Sequence, residues 1–400
     1  MGTLNRALLR RRKNKESIFK YIMGLMHLWL GLLSMLVVVV VCFSGAMYSF
    51  KNQVSDLINK DAVFTSRVDG KWINAGDLEQ KLQGEGKELL SIVVPENTKR
   101  TYFVTYSVGS KEVSSYVDPY TGKELGGPKD GGEKFFAWML DLHRNLLMGE
   151  TGRQINGIGI LIFCFLLFSG IVLWFPIKRK HLKAALTIKW NAKFQRVNYD
   201  LHNTLGFYSC VLLFFIAVTG LYVTYPWMKN LLITSLGGDP IAVMASTQEK
   251  ENGDDAFSTL LSDMMERQDE KGAAAEEKKL ATLGYILDAS QKNLPYYGQV
   301  SIQFPTKDNP RFEVVKINTD NFLGLILPDK LSFDRLGELK LKERFSEKPL
   351  SEQFTALYKP LHTGEIFGLK GIILYFIITL IGFSLPITGF IFWWNRAKLL

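Results

Sequence analysis

Four stretches of the chain contain no Asp, Glu, Lys or Arg, and they constrain the fold more than any other feature. They cover residues 21–50, 154–177, 201–228 and 371–395. About 20 apolar residues, rising about 1.5 Å each, cross the hydrocarbon core of a bilayer, and every stretch exceeds that length. Each stretch is therefore predicted to be a transmembrane helix. This excludes a soluble globular protein, a disordered chain and a disulfide scaffold.

The basic residues predict how the chain is oriented in the membrane. Residues 1–20 hold seven Lys/Arg and one Glu, and residues 177–198 hold seven Lys/Arg and no acid. With the last six residues, these segments contain 16 basic residues and one acid, which leaves 32 basic and 38 acidic residues elsewhere. Because an excess of Lys/Arg marks the cytoplasmic side, both termini and the short loop are predicted to be cytoplasmic. Charge placed beside membrane helices in this way argues against a nucleic-acid-binding protein and for contact with membrane lipid.

The chain is predicted to divide into nine segments. They are a basic cytoplasmic N-terminus (1–20), a first transmembrane helix (21–50), an extracytoplasmic module (51–132), an interfacial helix with the second transmembrane helix (133–177), a basic cytoplasmic loop (178–198), a third transmembrane helix (199–228), a second extracytoplasmic module (229–352), an interfacial segment with the fourth transmembrane helix (353–395), and a cytoplasmic C-terminus (396–400). The first apolar run is too long for a cleaved signal peptide, so we expect an uncleaved anchor. The charged stretch 246–280 is predicted to be a solvated helix or linker without chemistry.

The two halves of the chain resemble each other. Aligning His27 with His202 also matches Gly31 with Gly206 and Ser44-Gly45 with Thr219-Gly220, without a gap. Aligning His143 with His362 matches Ser169-Gly170 with Thr388-Gly389 and Trp174 with Trp393. Matches at His, Gly and Trp arise by chance less easily than matches at Leu or Val. We therefore predict a membrane α-helical fold, a four-transmembrane-helix bundle from a duplicated two-helix unit, with parallel repeats around an axis along the membrane normal.

The two extracytoplasmic modules are predicted to be α+β units. Strand-like runs lie at 90–94, 101–107 and 113–117 in the first module and at 298–304, 311–318 and 325–328 in the second. Residues 77–90 and 281–292 are predicted to be helical. The segment Asp118-Pro119-Tyr120-Thr121-Gly122 is a turn by composition.

Four of the five histidines occupy equivalent places in the repeat. His27 and His202 lie near the predicted cytoplasmic face, whereas His143 and His362 lie near the opposite face. Polar groups in membrane helices are costly and usually functional. Because about 30 Å of hydrocarbon separates the two faces, only His27 with His202 and His143 with His362 can share a ligand. His181, within the basic loop, is predicted to be an ordinary exposed residue.

A pair of imidazoles, one from each of two facing helices, is the ligand set of a haem b iron. Zinc takes three or four ligands, and no Cys, Asp or Glu in the helices completes such a set. The sequence therefore predicts two bis-histidine haem b groups, with copper or zinc at the His143–His362 pair as an alternative. The three cysteines, Cys42, Cys164 and Cys210, lie in apolar runs without a Cys-x-x-Cys spacing, so covalent c-type haem attachment and an iron–sulfur cluster lack support.

Glycines and arginines complete the predicted site. Gly45 and Gly220 follow their histidines by 18 residues, about five helical turns, and so share a helix face with them. Gly31 and Gly206 lie one turn from the same histidines. A glycine lets a macrocycle lie against the backbone, although small residues also promote helix packing, and both can hold. For the haem carboxylates the candidate cations are Arg144, Arg153 and Lys370 at the outer pair and Arg179 and Arg196 at the inner pair.

The helix that carries His143 is predicted to be separate from the second transmembrane helix. It would cover 133–148, with Gly149 and Gly152 as the break. Its aromatic residues suit the headgroup level of the membrane. A short helix of this kind would lean His143 back over the bundle.

Several motifs together resemble the PepSY-associated transmembrane helix family. They are Leu142-His143-Arg144 before Gly149-Glu150-Thr151-Gly152, Leu361-His362-Thr363-Gly364-Glu365, Leu201-His202-Asn203-Thr204-Leu205-Gly206, and the 118–122 turn of a PepSY-like module. The resemblance implies a haem b reductase of the bacterial inner membrane, regulated by iron, that reduces ferric siderophores in the periplasm. It also implies that His27, His202, His143 and His362 ligate the haem irons. The second module departs from the family turn, with Asp320-Asn321-Phe322-Leu323-Gly324 in its place.

The predicted function is therefore transmembrane electron transfer to a periplasmic ferric chelate, which makes the protein an enzyme. The chain has no G-x-G-x-x-G after a strand, so the electrons would come from quinol or a separate reductase. The alternative is a non-enzymatic membrane sensor or binding protein. A transporter fits less well, because no charged residue lies at mid-depth and only Pro386 interrupts a helix away from its ends.

Overall fold

The computed structural model describes residues 12, 16–65, 72–73, 75–109, 111–129, 132–176, 182–239, 281–306, 309–321 and 323–398. The predictions for His181, Arg179, Phe322 and the segment 246–280 lie outside the described residues. The helices, in chain order, are α1 (Ile18–Tyr48), α2 (Lys51–Ile58), α3 (Lys60–Val63), α4 (Ala75–Gly84), α5 (Glu133–Asn145), α6 (Gly149–Trp174), α7 (Leu182–Ala185), α8 (Phe194–Asp200), α9 (Gly206–Thr224), α10 (Pro226–Ser235), α11 (Leu283–Asn293), α12 (Leu350–Thr363) and α13 (Gly368–Lys398). The strands are β1 (Glu88–Val94), β2 (Tyr102–Val108), β3 (Lys111–Val117), β4 (Glu124–Gly126), β5 (Val300–Gln303), β6 (Phe312–Asn318), β7 (Leu327–Phe333) and β8 (Leu339–Glu343).

Among the described residues, four helical segments are long and apolar enough to cross a membrane. They are Ile18–Ile58, Gly149–Trp174, Phe194–Thr224 and Glu365–Asn395. The third contains a π-helical turn, Leu201–Leu205, between α8 and α9. The protein is therefore a multi-pass membrane protein with a separate sheet region.

The long helices form a ring of four in which each packs against two neighbours. α1 packs against α6 and α13, and α9 packs against the same two helices. α1 and α9 are therefore diagonal to each other, as are α6 and α13. The middle of the bundle is filled by apolar side chains and the buried thiols of Cys42 and Cys210.

The strands of the two predicted modules form one sheet rather than two separate ones. All eight strands are antiparallel neighbours in the order β4-β3-β2-β1-β5-β6-β7-β8. At the seam between the halves, Ile92 of β1 faces Ile302 of β5, and neither side chain is exposed. The sequence predicted the strands of each module separately and did not predict that β1 of the first module pairs with β5 of the second. Pairing β1 with β5 removes two free strand edges, which would otherwise be open to other chains.

Several elements of the sheet region differ from the sequence prediction. β4 and β8 were not predicted. Both are short edge strands, of three and five residues, although β8 alternates leucine with lysine. The helix predicted over 77–90 ends at Gly84, because residues from Glu88 onward pair as β1. β7 was predicted to stop at Pro328 but continues to Phe333. Its residues Asp329 and Lys330 are buried in this structure despite their charge.

Buried charges need partners, and Asp329 has two of them within the sheet region. Its carboxylate accepts hydrogen bonds from the Tyr296 hydroxyl (2.7 Å) and the Phe345 amide (2.7 Å). These bonds allow a charged residue to occupy the middle of β7.

Two helices, one from each half, cover one face of the sheet. Leu78 and Leu82 of α4 and Leu283 and Ile286 of α11 form a common core with the strands. The two helices are joined directly, because a Glu79 carboxylate oxygen accepts the Leu283 amide hydrogen at 2.7 Å. The sheet and its helices therefore form one unit built from both halves.

The helix that carries His143 is separate from α6, as its glycines predicted, although it ends earlier, at Asn145. Leu146 and Leu147 have φ of 50° and 58°, and Gly149 has φ of 57°. Gly152 lies directly under the carbonyl group of Asn145, where a Cβ atom would collide with the carbonyl oxygen. The tight turn between α5 and α6 therefore requires glycine at 152. Gly371 has the same relation to the carbonyl of Gly364 ahead of α13.

Candidate functional site

The four histidines meet as two separate pairs of rings. The centroids of the His27 and His202 rings are 6.3 Å apart, with an angle of 89° between the ring planes. Those of His143 and His362 are 6.2 Å apart, at 53°. These are the two combinations that the topology allowed. They lie at opposite ends of the bundle, because Gly45, which contacts the His143 ring, follows His27 on α1 by 18 residues, about 27 Å of helix.

Different elements position the two rings of each pair. His27 lies within α1, whereas His202 lies in the π-helical turn that precedes α9. A π turn inserts an extra residue into a helix and is frequent at functional sites. His143 and His362 come from the short helices α5 and α12, which lean over the sheet end of the bundle. We call His143 and His362 the sheet-end pair, and His27 and His202 the far pair.

Each ring of the sheet-end pair is held through its Nδ1 atom by a long helix. His143 Nδ1 lies 2.9 Å from the Val41 carbonyl oxygen and 3.4 Å from the Ser44 hydroxyl. His362 Nδ1 lies 3.0 Å from the Ile216 carbonyl oxygen and 2.9 Å from the Thr219 hydroxyl. In both cases the carbonyl and the hydroxyl are three residues apart, one turn of α1 or α9.

The rings of the far pair are held in the same way by α6 and α13. His202 Nδ1 lies 3.0 Å from both the Leu385 carbonyl oxygen and the Thr388 hydroxyl. His27 Nδ1 lies 2.9 Å from the Ser169 hydroxyl. All four histidines therefore rest on a Ser/Thr-Gly dipeptide, which we call a seat: Ser44-Gly45, Thr219-Gly220, Ser169-Gly170 and Thr388-Gly389.

The seats fix the tautomer of the imidazoles. A carbonyl oxygen can only accept, so Nδ1 of His143, His202 and His362 carries the proton and donates it. A neutral imidazole protonated at Nδ1 has its lone pair on Nε2, which is the form that ligates a metal. A hydrogen bond of this kind on the second ring nitrogen is the usual way in which proteins orient a ligating histidine.

The glycine of each seat lies beneath a histidine ring. A Cβ atom at Gly45, Gly389, Gly220 and Gly170 would lie 2.9, 3.1, 3.2 and 3.5 Å, respectively, from the Cε1 atom of the ring above it. Gly45 and Gly220, predicted to face a macrocycle, thus support the rings of His143 and His362. Gly31 and Gly206 face aliphatic side chains instead. A Cβ atom at Gly31 would lie 3.9 Å from the Leu166 side chain, and one at Gly206 would lie 3.5 Å from the Leu385 side chain.

Both centroid distances match those of a single metal ion held between two imidazole nitrogens that face each other. A metal–nitrogen bond of about 2.0 Å on each side, with each nitrogen about 1.1 Å from its ring centre, gives centroids about 6.2 Å apart. Directly hydrogen-bonded imidazoles would be about 1 Å closer, because the two nitrogens would then be about 2.9 Å apart. Within the described part of the chain, no three His, Cys, Asp or Glu side chains cluster as a metal site. Two imidazoles and no third ligand fit an iron whose other four ligands come from a macrocycle.

The predicted cations differ in their surroundings. Arg153 donates to the Thr224 carbonyl at 3.0 Å and lies 3.4 Å from Glu150, while its buried Nε atom is among the described polar atoms that have no hydrogen-bond partner. Arg144 is exposed, as is Lys370. Arg196 is paired with the buried carboxylate of Asp200 at 2.9 Å. Arg153 is thus the one of these four cations with a buried nitrogen that has no hydrogen-bond partner among the described residues.

Sequence reasoning missed the role of Asn156. Its side-chain amide donates to the carbonyl oxygens of His143 (2.7 Å) and Arg144 (3.1 Å) and so closes the end of α5. Asn156 is 7% exposed. A polar residue inside the second apolar run was the available signal, since such residues are seldom placed there without a partner.

The fold and its paired histidines define a four-span membrane protein with a histidine pair at each end of the bundle and a sheet attached to one end. The family model of the PepSY-associated TM region matches residues 25–396, nearly the whole chain. The chain therefore belongs to the PepSY-associated transmembrane family, as its motifs predicted. A search of curated proteins found no match to the chain.

Proposed function

We propose that the protein is a di-haem b electron-transfer protein of the bacterial inner membrane that reduces a ferric chelate in the periplasm. The observation that carries the proposal is the spacing of the two histidine pairs, 6.3 and 6.2 Å between ring centroids, each fitting one iron between two imidazoles. Membership of the PepSY-associated transmembrane family supports a membrane protein of cytochrome b-like type. When bound, the haems supply reversible one-electron chemistry near each face of the membrane.

The chain's own residues perform three tasks in this proposal. The four histidines hold the two irons through Nε2, and the seats keep each ring in place. The helices of the bundle provide apolar surroundings, which would keep a flat macrocycle away from water. Arg153, with its buried and unpartnered Nε among the described residues, is the proposed cation for a haem carboxylate at the sheet-end pair, and Arg144 is a second.

The proposal includes a duplicated origin and an orientation. Each half contributes one ring to each pair, two neighbouring long helices and four strands of the sheet, and the equivalent helices of the two halves, α1 with α9 and α6 with α13, are diagonal to each other. This correspondence supports a duplicated two-helix unit. The Lys/Arg excess at both termini and in the 178–198 loop supports a cytoplasmic position for them, which would put the sheet in the periplasm.

The substrate is proposed to be a ferric chelate of the siderophore type, and the donor quinol or a separate reductase. The chelate rests on the family resemblance together with the position of one histidine pair at the sheet end of the bundle. Reduction of Fe(III) to Fe(II) weakens its binding by hard oxygen ligands and so releases the metal from the chelate.

The test is haem stoichiometry in the purified membrane protein. We expect two haems b per chain by pyridine haemochrome, and a low-spin spectrum. His143→Ala and His362→Ala should each remove the same single haem, whereas His27→Ala and His202→Ala should each remove the other. His181→Ala, in the basic loop, is the matched control and should retain both. A colourless wild-type protein would contradict the proposal and favour a sensor or binding protein instead.

A further inference from the structure

We propose that the hydroxyl groups of Ser44, Thr219, Ser169 and Thr388 are positioning residues that set the reduction potential of the haem whose histidine they contact. The inference rests on the proposed function, because it concerns the two irons that the histidine pairs would bind. It assigns a role to residues that contact the histidines and are not themselves iron ligands.

The direction of each hydrogen bond follows from where the hydroxyl proton goes. Thr219 donates its proton to the carbonyls of Phe215 (3.0 Å) and Ile216 (2.9 Å) in its own helix. Ser44, Ser169 and Thr388 likewise donate to carbonyls three or four residues earlier in their own helices. With its proton used in this way, each hydroxyl presents only lone pairs to the imidazole. It therefore accepts from Nδ1.

At His202 and His362 the Nδ1 proton consequently has two close acceptors, a carbonyl and a hydroxyl. Two acceptors draw the proton away from the ring more than one acceptor does, so the imidazole becomes a stronger electron donor through Nε2. A more electron-rich ligand stabilises the ferric state over the ferrous state. Each seat hydroxyl is therefore expected to lower the reduction potential of its haem.

The hydroxyl acceptors are unequal within the sheet-end pair. The Thr219 hydroxyl is 2.9 Å from His362 Nδ1, a normal hydrogen-bond length, whereas the Ser44 hydroxyl is 3.4 Å from His143 Nδ1. Hydrogen bonds weaken beyond about 3.2 Å. Removing the Thr219 hydroxyl should therefore change the potential more than removing the Ser44 hydroxyl.

Both α1 and the helical segment that ends in α9 contribute to both histidine pairs, with a histidine at one end and a seat at the other. α1 carries His27 of the far pair and Ser44, which contacts the sheet-end pair. In the same way His202 of the far pair lies in the π-helical turn before α9, and α9 carries Thr219, which contacts the sheet-end pair. A substitution at Thr219 should thus alter the haem of the sheet-end pair and leave that of the nearer histidine in sequence, His202, unchanged.

The experiment is a potentiometric titration of the purified protein with both haems bound, followed by optical absorption and by EPR. The two ferric haems should be distinguishable by the g-anisotropy of their EPR signals, because the histidine ring planes meet at 89° in the far pair and at 53° in the sheet-end pair. Thr219→Val should raise the potential of the sheet-end haem alone, and Thr388→Val that of the far haem alone. Ser44→Ala should give a smaller upward shift at the sheet-end haem, and Thr219→Ser should restore the wild-type value.

The matched control is Thr224→Val. Thr224 is on the same helix, and its hydroxyl donates to the Gly220 carbonyl at 2.9 Å, but that hydroxyl has no hydrogen bond to a histidine among the described residues. Equal potentials in Thr219→Val and Thr224→Val, or a shift of both haems together, would overturn the inference while leaving two bound haems and the proposed function intact. Absence of haem from the wild-type protein would instead contradict the proposed function. If Thr219→Val loses its haem, the Thr219→Ser and Ser44→Ala potentials still decide the question.

Discussion

Gly45→Ala is the most direct perturbation of the histidine geometry. A Cβ atom at this position would lie 2.9 Å from His143 Cε1 and 3.1 Å from Nδ1. Carbon atoms in contact are about 3.5–4.0 Å apart, so the ring has to move away by about 0.6–1 Å. This movement takes Nδ1 away from Val41 and Ser44 and changes the distance to the His362 ring.

The expected loss is in haem binding more than in folding. Metal–ligand distances tolerate deviations of about 0.2 Å, which is several times less than the required shift. Overpacking of a core costs about 1–3 kcal/mol. Alanine in a helix recovers about 0.5–1 kcal/mol over glycine, so the variant should still fold. The haem content should fall from two per chain towards one, with loss of the EPR signal of the sheet-end haem.

Gly170→Ala provides the matched control, because its Cβ would lie 3.5 Å from His27 Cε1, an ordinary contact. Both variants would be purified in parallel and compared by pyridine haemochrome, EPR and thermal unfolding in detergent. Gly170→Ala should retain two haems. Two haems with an unchanged sheet-end signal in Gly45→Ala, or an equal loss in Gly170→Ala, would refute the argument that ring contact distance governs occupancy.

Two further predictions concern the end of α5 and the sheet. Asn156→Ala leaves the carbonyls of His143 and Arg144 without this donor, which should cost about 0.5–1.5 kcal/mol per hydrogen bond lost. It should lower both the unfolding temperature and the occupancy of the sheet-end haem. Asn203→Ala, also in a membrane helix, serves as the comparison, and equal behaviour of the two variants would contradict the role assigned to Asn156. Burial raises the pKa of Glu79 above its ordinary 4.5, so the folded chain keeps this proton over a range in which the unfolded chain has released it, and stability should fall as the pH rises through that range. Glu79→Gln keeps an acceptor for the Leu283 amide and should flatten this slope in thermal unfolding followed by tryptophan fluorescence, whereas an unchanged slope would show that other groups cause it.

Much of the membrane part could be predicted from the sequence because its constraints are local. A helix that crosses hydrocarbon needs about 20 apolar residues, so the four spans can be identified in the sequence as runs without charged residues. The break before α6 could be predicted from Gly149 and Gly152. Gly149 has a positive φ and Gly152 has a close backbone contact, and both features favour glycine. The two histidine pairs followed from position along each helix, since a side chain at one membrane face cannot reach the other.

The sequence by itself thus determined that the chain has four spans, which ends carry the histidines and which histidines can pair. Only the tertiary structure decided what each ring rests on, because the partners of a Nδ1 proton come from another helix and lie 99 to 186 residues away in sequence. Hydrophobic periodicity shows which face of a helix is buried, but not which neighbour covers that face. For the same reason the seam between β1 and β5 was not predictable, since the apolar pattern of a strand is satisfied equally well by any partner of matching register.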